Sequence, residues 1–329
     1  MLIEDPTIVE DPAMLPPDTE VPVETNHAVV DDYVYLLGRP TLKQFLSFVK
    51  NRSLHGRRAD VGALADEWRA AARHIGELEK SEAGCADGAP IQPLPAQLEP
   101  LRAQFVRDPL VQHSFNTVPT EIGVVELDRL VVYQHHIDLS YVSQLKARLG
   151  SAPSGEDMFR LCLPSQQPRP PVQWARMHSD SYVFTSPSND LRFLGAMPLE
   201  AGHIAGCPPP GALAGVVGLA VGFGCNFLSV ISAYDRLILH NGSHRAYALR
   251  ALGITHAPAI IQHVYSRDEL NVVAASAVAE RPDVFVRQAR PPMLKDYLDP
   301  TLRKIIPVIR RLRQVTVKFQ VDQAYVPAM

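Results

Sequence analysis

The stretch Asp235–Val264, DRLILHNGSHRAYALRALGITHAPAIIQHV, decides how the rest of the chain is read. Leu237, Ile238 and Leu239 form a short apolar run, and Asn241-Gly242 follows as a turn dipeptide in which glycine takes a positive φ at little cost. Ser243 is then expected as the N-cap of a helix from His244 to Leu252, with Ala248, Leu249 and Leu252 on one face and Arg245 and Arg250 elsewhere. Gly253 ends the helix in the C′ manner, and Ala257-Pro258-Ala259-Ile260-Ile261 restarts an extended run. The unit is strand, turn, helix, strand. Free N–H groups and the dipole at such a helix start suit an anion, and an arginine beside it can grip phosphate with two parallel hydrogen bonds. Strand-turn-helix units of this composition also occur with no ligand, and His244 taken alone reads as a turn or helix-start residue.

The run N-G-S-H-R-A-Y-A-L-R-A-L-G-I-x-x-x-P-x-I, residues 241–260, resembles the signature of the ParB/sulfiredoxin-like superfamily. In that family a GxxR turn opens a helix, a glycine ends it, and a strand with proline follows; here the turn is Gly242, Ser243, His244 and Arg245. The upstream run TEIGVVELDRLVVYQHHIDLSYVSQLKARLG, residues 120–150, resembles the family's opening strand, its Q-containing loop and its first helix. The resemblance implies a nucleotide-phosphate pocket at the turn, used by different members for CTP hydrolysis, ATP-dependent repair of sulfinic acids and phosphorylation of free serine. It implies cofactor contacts from Asn241, Gly242, Ser243, His244, Arg245 and Gln134, with His244 and Glu126 as catalytic candidates. Glu126 enters because related serine kinases use an acidic residue of the opening region to orient or deprotonate a hydroxyl. A solvated glutamate on an edge strand is the alternative. Ser243 stands where sulfiredoxins carry their reactive cysteine, so that chemistry is not expected.

The 329 residues suffice for one large or two modest domains with their own cores. A net charge of −3 supplies no basic excess, and nothing resembles the helix-turn-helix of partition proteins, so nucleic acid is not an expected partner. The 29 prolines, nearly twice the usual share of about 5%, imply many irregular connections. Cys85, Cys162, Cys207 and Cys225 are widely spaced with no CxxC, which favours free thiols in a reducing cytoplasm over disulfides or a zinc site.

The first 28 residues, with seven acidic side chains and five prolines, read as an extended or disordered arm. Residues 29–115 read as a helical extension: Leu42, Phe45, Leu46 and Val49 behind Pro40-Thr41, then a helix from about Val61 to Lys80 with Leu64, Ala65, Trp68, Ala71 and Ile75 on one stripe. Residues 81–100 read as a linker, and 101–107 as a short helical patch. The ParB/sulfiredoxin-like domain is expected over 116–265, with a strand ending near Glu126, a helix burying Val142 and Leu145, and an insertion at about 151–233.

In that insertion Tyr182–Phe184 and Leu191–Leu194 read as strands and 207–211 as a break, while His178, Asp180 and His203 form no ligand pattern. Residues 212–233 carry no charge; their length matches a membrane span, but four glycines and Asn226 favour a buried run beside the site, with Asn226 as a polar contact. Beyond it, residues 266–329 are expected to pack on the core as a helix over Asp268–Ala279, a last helix over Leu302–Leu312 broken by Pro307, and a strand with Val315, Val317 and Phe319 in alternation. Lys295 and Asp296 read as an exposed charged pair.

The expectation is an α+β protein with a ParB/sulfiredoxin-like core, acting as a small-molecule kinase or NTPase with ATP or CTP and Mg2+. The competing class is a binding or assembly protein that senses a ligand without turnover. A small-molecule substrate is the expected partner, membrane attachment is not expected, and a homo-oligomer is compatible with the composition.

Overall fold

The computed structural model describes residues 29–165, 170–178, 180–200 and 215–327; the acidic arm, the break at 207–211, Cys207 and His203 lie outside them. The chain is α+β, with several small sheets. Its first elements are β1 (Val30–Leu36), α1 (Leu42–Arg52), α2 (Val61–Ser81), β2 (Ile91–Gln92), α3 (Glu99–Phe105) and α4 (Pro109–Ser114). Then come β3 (Thr120–Glu126), β4 (His136–Asp138), α5 (Leu139–Leu149), α6 (Gly155–Cys162), β5 (Gln173–His178), β6 (Ser181–Ser186), β7 (Leu191–Leu199) and β8 (Val216–Phe223). The last are β9 (Ser229–Ala233), β10 (Arg236–Asn241), α7 (Ser243–Ala251), β11 (His256–Val264), α8 (Arg267–Val273), α9 (Ser276–Glu280), α10 (Pro282–Val286), β12 (Arg303–Ile309) and β13 (Arg313–Lys318). Two compact units result, one of residues up to Ser165 with Phe227–Arg310, the other of Gln166–Asn226 with the chain from Arg311 on.

The first unit carries a five-stranded sheet in the order β10-β9-β11-β3-β2 and a three-stranded sheet β12-β1-β4. β9 and β11 run parallel, and the other pairs of both sheets are antiparallel. β11 is buried almost throughout, as a continuous apolar strand covered on both faces should be. One core gathers Val131, Ile231, Ile238, Val264, Leu270 and Met293; another gathers Tyr35, Phe45, Val49, Ala71, Ile75 and Ile306. α1 starts where Thr41 and Gln44 form a reciprocal capping box, and α2 where Asp60 accepts from Ala63 N–H. Between β1 and α1, Gly38 (φ +72°) passes so close to α2 that a Cβ would sit 2.9 Å from Ala72 N.

In the second unit the antiparallel sheet β13-β6-β5 and the β7-β8 hairpin form the strands. Their apolar side chains are only partly covered: Trp174 is 67% exposed and Val217 68%.

Several expectations are corrected. Not all of residues 151–233 fall in one unit: α6 and β9 belong to the first unit, β9 as an inner strand of its sheet. The charge-free run therefore contributes strands to two units, β9 buried and β8 mostly half-buried, rather than one buried run. No helix among the described residues is long and apolar enough to cross a membrane. Residues 81–100 are not a loose linker: Ala86 is fully buried in the core, and Gly88 N–H donates to Asp235 O at 2.8 Å. The 29–115 segment is not purely helical, since β1 is the central strand of its sheet.

In place of the helix expected over 302–312 the chain forms β12, Arg303–Ile309. The apolar positions fit both periods, and the edge location of β12 tolerates Pro307, whose missing N–H would break a helix but costs an edge strand little. The expected helix over Asp268–Ala279 is split into α8 and α9 by the extended Ala274-Ala275 pair. β13 takes the predicted alternation but pairs with β6 in the second unit rather than packing on the core.

Candidate functional site

The 235–264 unit forms as read. β10 ends at Asn241, whose Oδ1 accepts from the Gly242 N–H at 2.7 Å, and Gly242 turns the chain at φ +92°. A Cβ there would lie 2.9 Å from Leu228 Cα, so both the backbone angle and the close approach require glycine. The N-cap is Gly242 itself, not Ser243; Ser243 is the first helical residue, because the left-handed turn completes one position earlier than a serine cap would. At the far end Gly253 (φ +84°) donates to Arg250 O and Ile254 to Leu249 O, the paired bonds of a Schellman stop. α7 is buried around most of its circumference, including Ser243, Arg245, Ala246, Tyr247, Ala248 and Leu249, so it has no separate polar face for the arginine.

The loop before β4 lies over the start of α7. The Ser243 hydroxyl donates to Gln134 Oε1, and the Gln134 carbonyl accepts from Tyr297 OH at 2.7 Å. Tyr133 OH donates to His240 O at 2.8 Å. His244 Nε2 accepts from the Asp138 N–H at 3.1 Å, and the Asp138 carboxylate in turn caps α5 through the Ser140 and Tyr141 N–H groups. Two helix starts thus converge beside one loop. No side chain caps α7, and the N–H groups of Ser243 and His244 belong to a first turn with no intrahelical acceptor.

Arg245 is only 7% exposed, and its charge is felt inside the protein. Burial, with Arg245 adding, lowers the His244 pKa to about 4, so the ring is neutral at pH 7. Burial pushes the Cys162 thiol up to about 12, against the pull of Arg245. His136, stacked on Tyr33, is lowered to about 3 chiefly by burial. Asp138 is raised, again chiefly by burial.

Of the residues read from sequence, the structure brings together Gln134, Asn241, Gly242, Ser243, His244 and Arg245. Glu126 is not among them: it ends β3 opposite His256, three strand spacings (about 14 Å at ~4.8 Å each) from β10. Asn226 lies in the second unit, and Asn241 spends its Oδ1 on the turn itself. His244, neutral and already accepting through Nε2, is a poor general base as placed. Among the described residues no three His, Cys, Asp or Glu side chains converge as a metal cage, so a Mg2+ ion here would be held mainly by phosphate oxygens and water.

A second polar centre lies nearby and was not read from the sequence. A cavity of about 230 Å³ is lined by Arg39, Glu79, Gln134, Arg281 and Gln288 among others. Asp296, expected on the surface, is 1% exposed and binds Arg290 Nη1 at 2.6 Å and Arg39 Nη2 at 3.6 Å; its neighbour Lys295 pairs with Glu82 at 2.7 Å. Arg39 also donates to the Arg290 and Pro291 carbonyls, at 3.2 and 3.3 Å. These partners are some 250 residues apart, and no local spacing announces them.

Comparison with protein-family models, with curated proteins and with solved structures gave no match.

Proposed function

We propose that the Asn241-Gly242 turn and the start of α7 bind a nucleotide through its phosphates, and that the protein is a nucleotide-dependent enzyme acting on a small molecule. The observation that carries this reading is the uncapped helix start behind a left-handed glycine, with the Arg245 charge set into its first turn and Gln134 held against Ser243. The resemblance of residues 241–260 to the ParB/sulfiredoxin-like signature supports the same site. ATP and CTP are the nucleotides to test, with Mg2+ as the accompanying ion.

Calorimetric titration of both nucleotides into the wild type and Arg245→Ala tests the proposal. At least one should bind, and the variant should lose roughly 1.5–3 kcal/mol, about tenfold or more in affinity. Because Arg245 is buried, the variant is also expected to lose stability; a thermal melt of each protein separates the two effects. Binding of neither nucleotide by the folded wild type refutes the reading.

The position of Glu126 favours a second reading, a ligand-sensing binding or assembly protein without turnover, because the carboxylate that the resemblance assigns to the acceptor hydroxyl lies away from the turn. Nucleotide binding without consumption, across a panel of hydroxylated acceptors, distinguishes it from the first.

A further inference from the structure

We propose that the cavity beside Arg39 is a binding site for a small hydroxy-monocarboxylate. The charge around it is the first reason. Arg39, Arg290 and Lys295 form one linked network with Asp296 and Glu82, Glu79 adds a third carboxylate beside Arg39, and Arg281 in the lining leaves four cations against three carboxylates. Arg39 and Arg290 are 7% and 1% exposed at their side chains, so water screens their charges poorly. The Arg39 Nε–H is buried with no acceptor among the described residues, an unmet demand of the kind a bound anion or its bridging water relieves.

The lining supplies the remaining specificity. Arg281 and Gln288 are exposed residues of the lining, which places them at the opening, where they can draw in and hold a carboxylate. Glu79 faces the same space; it repels a second carboxylate and accepts from a ligand hydroxyl. A volume of about 230 Å³ suits a molecule of roughly eight to ten non-hydrogen atoms. Gln134 lines this cavity and also accepts from Ser243, so one side chain touches both places. The inference does not rest on the nucleotide reading, and its test contains no nucleotide.

The experiment is titration of the full chain with glycolate, lactate and glycerate, against succinate, inorganic phosphate and glycerol, followed by calorimetry. At least one hydroxy-monocarboxylate should bind saturably at or below about 1 mM and more tightly than all three controls. Arg281→Glu, an exposed position, should weaken it at least tenfold with an unchanged melting temperature. Val284→Phe, which projects bulk into the cavity, should abolish binding; if that variant fails to fold, the Arg281 result decides. Failure of all three hydroxy acids, tighter binding of succinate, phosphate or glycerol, or an Arg281→Glu protein that binds as the wild type does, overturns the proposal.

Discussion

At either end of β10 the backbone enters the left-handed region, through Gly242 (φ +92°) at one end and through Tyr234 (φ +51°) and Asp235 (φ +65°) at the other. The first turn opens α7 and uses the residue that pays least for that conformation. The second is a two-residue hairpin loop, with Ala233 directly opposite Arg236, and uses a bulky aromatic where Asn-Gly would be usual. What replaces local preference at the Tyr234 end is tertiary structure. Gly88 N–H donates to Asp235 O at 2.8 Å, and Arg236, 4% exposed, is held by Asp87 at 2.6 Å and by the Phe285 carbonyl at 3.0 Å. One turn is thus dictated by its own residues and the other by distant segments that close over it.

The comparison is broken most severely by substituting Gly242. Leu228, which a new Cβ would strike, is fully buried and fixed on both sides: its N–H donates to Cys162 O at 2.8 Å and its carbonyl accepts from Ile260 N–H at 3.0 Å. It cannot retreat. Gly242→Val combines a left-handed β-branched residue, about 1–2 kcal/mol, with overpacking of about 1–3 kcal/mol, so a loss of roughly 2–5 kcal/mol is expected. Urea unfolding of Gly242→Ala and Gly242→Val measures it. A loss below about 1 kcal/mol for both would show that the turn has slack.

Acid separates the helix side of this turn from the rest in a second way. An unfolded imidazole takes up its proton near pH 6.5, whereas folded His244 holds off until about 4 and His136 until about 3. In that window the unfolded chain binds more protons, so the contribution is complete above about pH 6.5 and is lost as pH falls. Each ring accounts for roughly 3 kcal/mol by pH 4, an order-of-magnitude figure. His244→Gln keeps an acceptor for the Asp138 N–H but has nothing to titrate, and its stability should fall less steeply between pH 6.5 and 4.5 in urea melts. Parallel pH profiles for variant and wild type would remove His244 from the acid response.

How much was legible follows the same division. The 235–264 unit, the α1 and α2 helices and β13 were readable because caps, glycines and periodicity act within a few residues of one another. β12 was misread because its apolar residues satisfy a helical period as well as alternation, and only pairing with β1 decides between them. The 81–100 segment looked like a linker because its small residues bury by fitting against Asp235 and Arg236, about 150 positions away. At the candidate site, Gln134 and Ser243 were each named from the resemblance as cofactor contacts; the hydrogen bond between them was not read from the sequence. The distance of Glu126 from the turn was not anticipated, because strand order is a long-range property. The Arg39, Arg290 and Asp296 network was illegible for the same reason: an arginine before a proline reads as a loop residue until its partners arrive.

The smallest expected effect is also the one that tests the comparison most directly. Tyr234 is 46% exposed, so its ring contributes limited packing, while its left-handed backbone costs an ordinary residue about 1–2 kcal/mol. Asparagine tolerates that region far better, and the hairpin register needs nothing else from the side chain. Tyr234→Asn should therefore stabilise the protein by about 0.5–1 kcal/mol, with Asp235 retained so that its carbonyl still meets Gly88 N–H. The gain would be read as a raised urea midpoint with an unchanged slope, since a changed slope would mean the unfolded state had moved as well. If Tyr234→Asn instead destabilises, the ring is part of what holds the turn, and distant backbone contacts alone do not explain how an aromatic residue came to sit at a left-handed position.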